Sequence, residues 1–197
     1  MKKIKAIIFD FGGVFSVDDD IKKFWKNNAE NFGVDPEAAN KITLAIWLEA
    51  RVGKIDSNLF FSEAAKFVGQ DEKKYKKYFI EYTGYRPELY EFIKKELYGK
   101  YKLAIISNQI ESWFEPIIKE EKLNDLFGTI ITSYGAGVAK PEKDIYLKAL
   151  DALKLSASEC IYIDDRPKNL EPAASLGMKT ILFSSFDQFK IDLQKLL

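Results

Sequence analysis

Residues 4–15 read Ile-Lys-Ala-Ile-Ile-Phe-Asp-Phe-Gly-Gly-Val-Phe, and no other stretch constrains the fold so tightly. A short apolar run bounded by a turn signal is the mark of a buried strand. Asp10 emerges where that strand stops, and Gly12 and Gly13 let the backbone turn sharply with its amides free to face an anion. A carboxylate beside an amide nest suits attack on a negatively charged group such as a phosphate ester. The run follows Met-Lys-Lys at the start of the chain, as a signal peptide would. Asp10 interrupts it and no small-residue cleavage site follows, so it reads as a strand.

Four more strand-like runs are expected at 102–107, 129–133, 160–164 and 179–183. Helix-period segments separate them at 113–122, 142–153 and 170–176. Strand–helix alternation argues for an α/β fold with a parallel sheet and helices on both faces. Ligands of such sheets sit beyond the carboxyl ends of the strands, and Asp10, Ser107 and Asp164 all fall at such ends. Residues 17–85 break the alternation with helical periodicity alone. Asp18-Asp19-Asp20 is expected to cap a helix starting near Ile21, Asp35-Pro36 starts another, Gly53 ends it, and Asp56 or Ser57 opens the next. The expected organisation is a core of residues 1–16 and 86–197 with an all-helical insertion at 17–85.

Composition removes several chemistries. The chain contains no histidine, so a histidine base and a histidine-held metal are both excluded. One cysteine, Cys160, forbids an intrachain disulfide and fits a reducing, cytoplasmic setting. Lys+Arg and Asp+Glu balance at 30 each, which gives no pull toward nucleic acid or an anionic membrane. No segment is apolar and long enough to span a bilayer. The oligomeric state is open.

Four motifs stand in order: Asp10-Phe11-Gly12-Gly13-Val14 after a strand, Ser107-Asn108 at a strand end, Lys140-Pro141 before a helix, and Asp164-Asp165 at a strand end with Asn169 shortly after. Over nearly its whole length the chain resembles the haloacid dehalogenase-like hydrolases, in the group with a helical cap inserted after the first motif. The resemblance implies a Rossmann-like sheet of order 3-2-1-4-5. It implies a Mg²⁺-dependent phosphatase acting on a small phosphorylated metabolite through an aspartyl-phosphate on Asp10. In that scheme Asp10, Asp165, Asp164 and the Gly12 carbonyl hold the metal, and Asn169 orients a metal-bound water. Phe11, Gly12, Ser107 and Asn108 bind phosphate, Lys140 offsets its charge, and Arg51 reaches the substrate from the cap. Taken singly, Asp164-Asp165 also reads as a helix cap and Lys140 as a solvated lysine. Trp47 reads equally as packing, and Arg51 as a partner of Glu49.

The chain departs from the family pattern at Gly12, where most phosphatases of the family carry a second aspartate that protonates the leaving group. Its absence suggests an easily expelled leaving group, such as an anomeric sugar phosphate, or slow turnover. Two alternatives follow from it. One is metal-independent 2-haloacid dehalogenation, which the paired acids Asp164-Asp165 disfavour. The other is a weakly active fold-mate that binds a phosphorylated ligand or a protein. A phosphonate-cleaving relative would need a cap lysine, for which Lys22, Lys23 and Lys54 are candidates. Residues 134–137, Tyr-Gly-Ala-Gly, read as a flexible loop beside the phosphate. Trp113, Phe114, Phe127 and Tyr146 read as packing.

Overall fold

The computed structural model describes residues 3–197, so Met1 and Lys2, at the head of the expected core, lie outside the described residues. Five strands form one all-parallel sheet in the order β3-β2-β1-β4-β5: β1 Ala6–Phe9, β2 Lys102–Ser107, β3 Thr129–Thr132, β4 Cys160–Asp164 and β5 Lys179–Leu182. The insertion holds α1 Ile21–Phe32, α2 Pro36–Ala50, α3 Asn58–Phe67 and α4 Glu72–Thr83. The rest of the chain adds α5 Pro87–Phe92, which runs on as a π-helical turn Ile93–Leu97, then α6 Glu111–Glu120 and α7 Leu123–Leu126. After these come α8 Ser133–Ala136, α9 Lys143–Leu153, α10 Pro167–Ser175 and α11 Phe186–Leu196.

β1 is central and every residue of it is buried, which is why its sequence is continuously apolar rather than alternating. The alternation reappears as a choice of face. Ile7, Phe9, Ile105 and Ile163 pack on one side, and Ala6, Ile8, Ala104 and Tyr162 on the other. Register sets the site. Phe9 pairs with Ile163 of β4, so Asp10 and Asp164 come abreast one position further on, and Asp10 N donates to Ile163 O at 2.8 Å.

The insertion begins as its caps dictate. Asp20 accepts from Lys23 N at 3.1 Å, and Asp35 accepts from Ala38 N at 2.7 Å with Pro36 in the first turn of α2. Its entry and exit run side by side: Val17 N donates to Thr83 O at 2.9 Å and Arg86 N to Phe15 O at 2.8 Å. Its interior is aromatic, with Phe24 among Trp25, Tyr75, Phe79 and Tyr82. That interior is continuous with one face of the sheet. Trp113 of α6 meets Trp47 and Phe79 of the insertion and Phe11 of the β1 loop, each at 6.2 Å between ring centroids. Ser112 donates two hydrogen bonds of 2.9 Å to Ser57 across the same junction, from its amide to the hydroxyl and from its hydroxyl to the carbonyl.

Three local expectations shift. β3 stops at Thr132 because its hydroxyl accepts from Gly135 N at 3.2 Å and turns the chain into α8, so residues 134–137 form a helical turn instead of a flexible loop. α2 ends at Ala50, with Gly53 in the turn beyond it. Helices α5, α7 and α11 are additional to those expected, and α11 lays Phe189 and Leu193 into the core.

Candidate active site

Asp10 follows directly on β1 and is 6% exposed. Its Oδ1 accepts from Phe11 N at 2.6 Å and lies 2.7 Å from Lys140 Nζ. The loop beyond folds back on itself as Phe15 N and Ser16 N converge on Phe11 O at 2.8 and 3.1 Å. Gly13 has φ of +70°, and a Cβ there would lie 2.3 Å from Asp165 Oδ2. The conformation and the close approach both demand glycine. Phe11 offers the site only its backbone, since its ring is buried against Phe15 and Phe114.

Asp164 ends β4 fully buried. It accepts from Lys140 Nζ at 2.8 Å, Arg166 N at 2.9 Å, Asn169 Nδ2 at 2.9 and 3.1 Å, and the Tyr162 hydroxyl. Burial alone would raise its pKa, but Lys140 and these donors outweigh it and hold Asp164 below the usual carboxylate range. Burial likewise disfavours the Lys140 ammonium, yet Asp10 and Asp164 together push its pKa up and keep it charged. Asp10 moves the other way. Burial and the Asp164 charge drive its carboxyl well up, against the opposing pull of Lys140.

At the end of β2, Ser107 is fully buried and its Oγ has no hydrogen-bond partner. Asn108 uses its side chain on the backbone of Lys140, donating to the carbonyl at 2.9 Å and accepting from the amide at 2.8 Å. It thereby holds the lysine in place across a gap of 32 residues. Asn169 spends its amide on Asp164 and leaves Oδ1 buried without a partner.

Asp10, Asp164 and Asp165 each present a carboxylate oxygen, all within 4.8 Å of one another. The donors around Asp164 occupy both its oxygens. Asp165 differs: its Oδ1 is buried with no hydrogen bond, and the nearest cation, Arg166 Nε, is 3.9 Å away. Burial and the Asp164 charge push Asp165 up to about 6. Two carboxylates side by side, one with an orphaned oxygen, are a donor set that fits a hard divalent cation such as Mg²⁺.

Asp10, Asn108, Lys140 and Asn169 line a cavity of about 200 Å³ whose far wall is Leu44, Trp47 and Leu48 of α2 and Arg51 just past its end. Trp47 lines it while also packing on Phe60 at 5.2 Å. Arg51 does not pair with Glu49, which lies 3.7 Å from Lys54 instead. Arg51 Nε is buried without a partner, and burial and the Arg166 charge lower the guanidinium's pKa.

A family model described as haloacid dehalogenase-like hydrolase matches residues 4–177. The chain belongs to the haloacid dehalogenase-like hydrolases. Among relatives of this hydrolase is Flavin mononucleotide hydrolase 1 of Arabidopsis thaliana, 26% identical over 77% of the chain and 62% of that protein. Glyceraldehyde 3-phosphate phosphatase of Pyrococcus furiosus is 35% identical over 59% of the chain and 48% of that protein. Sesquiterpene phosphatase astK of Aspergillus oryzae is 26% identical over 88% and 87%. The chain thus spans less than two thirds of the first of these relatives. In fold, it matches the HAD family enzyme bt-2542 of Bacteroides thetaiotaomicron with a TM-score of 0.78 at 22% identity, covering 98% and 99% of the two chains. A complex of that enzyme with magnesium and inorganic phosphate matches with a TM-score of 0.73 at 20% identity over 94% and 98%.

Four residues of this hydrolase's cavity region escape a motif search. Tyr162 stands two positions before Asp164 and therefore on the same face of β4, a spacing that pointed to it. Gln109 follows the Ser107-Asn108 pair and donates to Asp19 Oδ2 at 2.6 Å. Arg166 sits 3.6 Å from Asp20 and lines the cavity. Asp18-Asp19-Asp20 reads in sequence as one helix cap, but only Asp20 caps α1, and Asp19 lines the cavity. Burial raises its pKa, against the Gln109 hydrogen bond and the Arg166 charge.

Proposed function

We propose that this hydrolase is a Mg²⁺-dependent phosphatase of a small phosphorylated metabolite, with Asp10 as nucleophile. One observation carries the reading. Lys140 Nζ bridges Asp10 and Asp164 at 2.7 and 2.8 Å, and Ser107 Oγ at the end of β2 and Asp165 Oδ1 next to Asp164 are both buried without a hydrogen bond. Such orphaned groups are costly unless a ligand completes them. A phosphate accepting from Ser107 beside a cation on Asp165 would complete both.

Asp10 Oδ1 is held by Phe11 N and Lys140, which orients the carboxylate and leaves Oδ2 for attack on phosphorus. Lys140 stays charged and offsets the negative charge of the transferring group, while Asn108 fixes where that charge stands. Asp10 and Asp165 would hold Mg²⁺, with the Gly12 carbonyl as a further ligand. Bound there, the ion would reduce repulsion between the carboxylate and a phosphate dianion. Asp164 acts through Lys140. Residues 17–85 form the cap over the core of residues 1–16 and 86–197. It brings Arg51 and Trp47 to the leaving-group side and limits water.

The test is a panel of phosphate esters with and without Mg²⁺. Turnover lost with a chelator, and lost again in Asp10→Asn, is the expected result. Turnover that survives Asp10→Asn removes Asp10 as nucleophile. Haloacid hydrolysis indifferent to a chelator would favour the dehalogenase alternative.

A further inference from the structure

Gly12 is empty of a side chain for a reason that lies elsewhere in the molecule. A Cβ built on it would stand 2.1 Å from Asp19 Oδ2 and 2.8 Å from Asp19 Cγ. The backbone at Gly12 is not left-handed, so any residue could adopt its conformation. A side chain there and the Asp19 carboxylate in its present place would occupy the same volume. Asp19 therefore fills the volume that a side chain two residues past Asp10 would occupy, entering it from the segment that leads into α1. A buried amide holds it there. Gln109, 1% exposed, donates from Nε2 to Oδ2 at 2.6 Å, and its own backbone N donates to Ser133 Oγ at 3.2 Å. Among the described residues no donor is bonded to Asp19 Oδ1.

Of the other ionisable groups, Lys22 is exposed at the cavity wall and Asp165 is assigned to the metal. Asp10 and Lys140 are paired, Asp20 caps α1 and faces Arg166, and arginines do not give up protons. The chain has no histidine. A departing alkoxide still needs a proton.

We propose that Asp19 is the general acid and base of this site, a carboxyl delivered in space rather than from position 12. The proposal rests on the phosphatase reading and deepens it. As Asp10 attacks, the phosphorus–oxygen bond to the leaving group breaks, its electron pair stays on that oxygen, and the Asp19 proton completes the alcohol. Asp19 then takes a proton from water as the water oxygen bonds to phosphorus and the Asp10–phosphorus bond breaks. The products are inorganic phosphate, a free Asp10 carboxylate and a reprotonated Asp19. Dependence on an easily expelled leaving group, expected from Gly12 alone, then disappears.

The test compares p-nitrophenyl phosphate with a simple alkyl phosphate. Wild type is expected to cleave both. Asp19→Asn keeps the acceptor for Gln109 but carries no acidic proton. It is expected to release p-nitrophenol in a burst approaching one equivalent and then turn over slowly. Its cleavage of the alkyl ester should fall by about 10²–10⁴-fold without a burst. Mg²⁺ affinity, read by calorimetry, should change less than about tenfold, the reach of a lost neighbour rather than a lost ligand. Gly12→Asp combined with Asp19→Ala should recover alkyl ester cleavage relative to Asp19→Ala alone. Equal losses on both esters without a burst, a larger loss of Mg²⁺ affinity, or no recovery in the double variant would each overturn the assignment. Wild type that cleaves neither ester removes the phosphatase reading and this proposal with it.

Discussion

Gly13→Ala separates two costs that the structure places at one atom. The first is conformational. A φ of +70° costs an L-residue about 1–2 kcal/mol, which for a chain of this size lowers Tm by roughly 2–8 °C. The second is steric. The new methyl would start 2.3 Å from Asp165 Oδ2, so the carboxylate must retreat by about 1 Å to reach ordinary contact. Mg²⁺ demands ligands near 2.0–2.1 Å in octahedral array, and disturbing the support of a metal ligand typically costs about 10–100-fold in affinity. Gly69 supplies the control, with a φ of +65° and nothing within 4 Å of its would-be Cβ. Gly69→Ala should show a comparable fall in Tm and an unchanged Mg²⁺ affinity, whereas Gly13→Ala should show both losses. Thermal melts with and without Mg²⁺, together with calorimetric titration, read the two quantities separately. Equal Mg²⁺ affinity in the two variants would refute Asp165 as the metal's anchor, whatever happens to stability.

Lys140→Met strands two buried carboxylates, and breaking such a pair costs about 3–5 kcal/mol. Urea unfolding at neutral pH should show that loss, and a change under about 1 kcal/mol would mean that the Asp10–Lys140–Asp164 bridge contributes little. Mg²⁺ binding should also depend on pH in one direction. Asp165, at about 6 in the metal-free protein, must give up its proton to ligate. The apparent Kd should therefore rise as pH falls through that value, by about tenfold per unit from Asp165 alone and more steeply where Asp10, whose carboxyl burial also drives up, takes a proton of its own. A titration series showing no such rise would exclude Asp165 from the ligand set.

The sheet and its order follow from features that a sequence displays openly. Apolar runs end in Asp10, Ser107 and Asp164, and the register brings the first and last of these abreast. Other relations depend on distances the sequence does not carry. Asn108 meets Lys140 only because the crossover from β2 through β3 returns to the same edge. Asp18, Asp19 and Asp20 are chemically alike in the chain, but a helix start needs only one capping side chain. The direction from which α1 leaves the sheet decides that Asp20 caps and Asp19 turns inward. Trp47 in α2 and Arg51 just past its end stand at a spacing that fits one helical face, and the packing of Trp47 on Phe60 together with the unpaired Arg51 Nε separates their surroundings. α5 and α11 flank strands whose continuous apolar runs are the stronger signal in the sequence.

Trp113 has a practical meaning for anyone who would retarget this hydrolase by exchanging its helical segment for another. The seam does not run along the two peptide crossings near residues 16 and 86. It runs through α6, where one indole touches the loop after β1 and two aromatics of the inserted helices, and where Ser112 interlocks with Ser57. A graft cut at the crossings alone would bring a foreign surface against an unmatched tryptophan, so the transplant has to include the face of α6 that receives it.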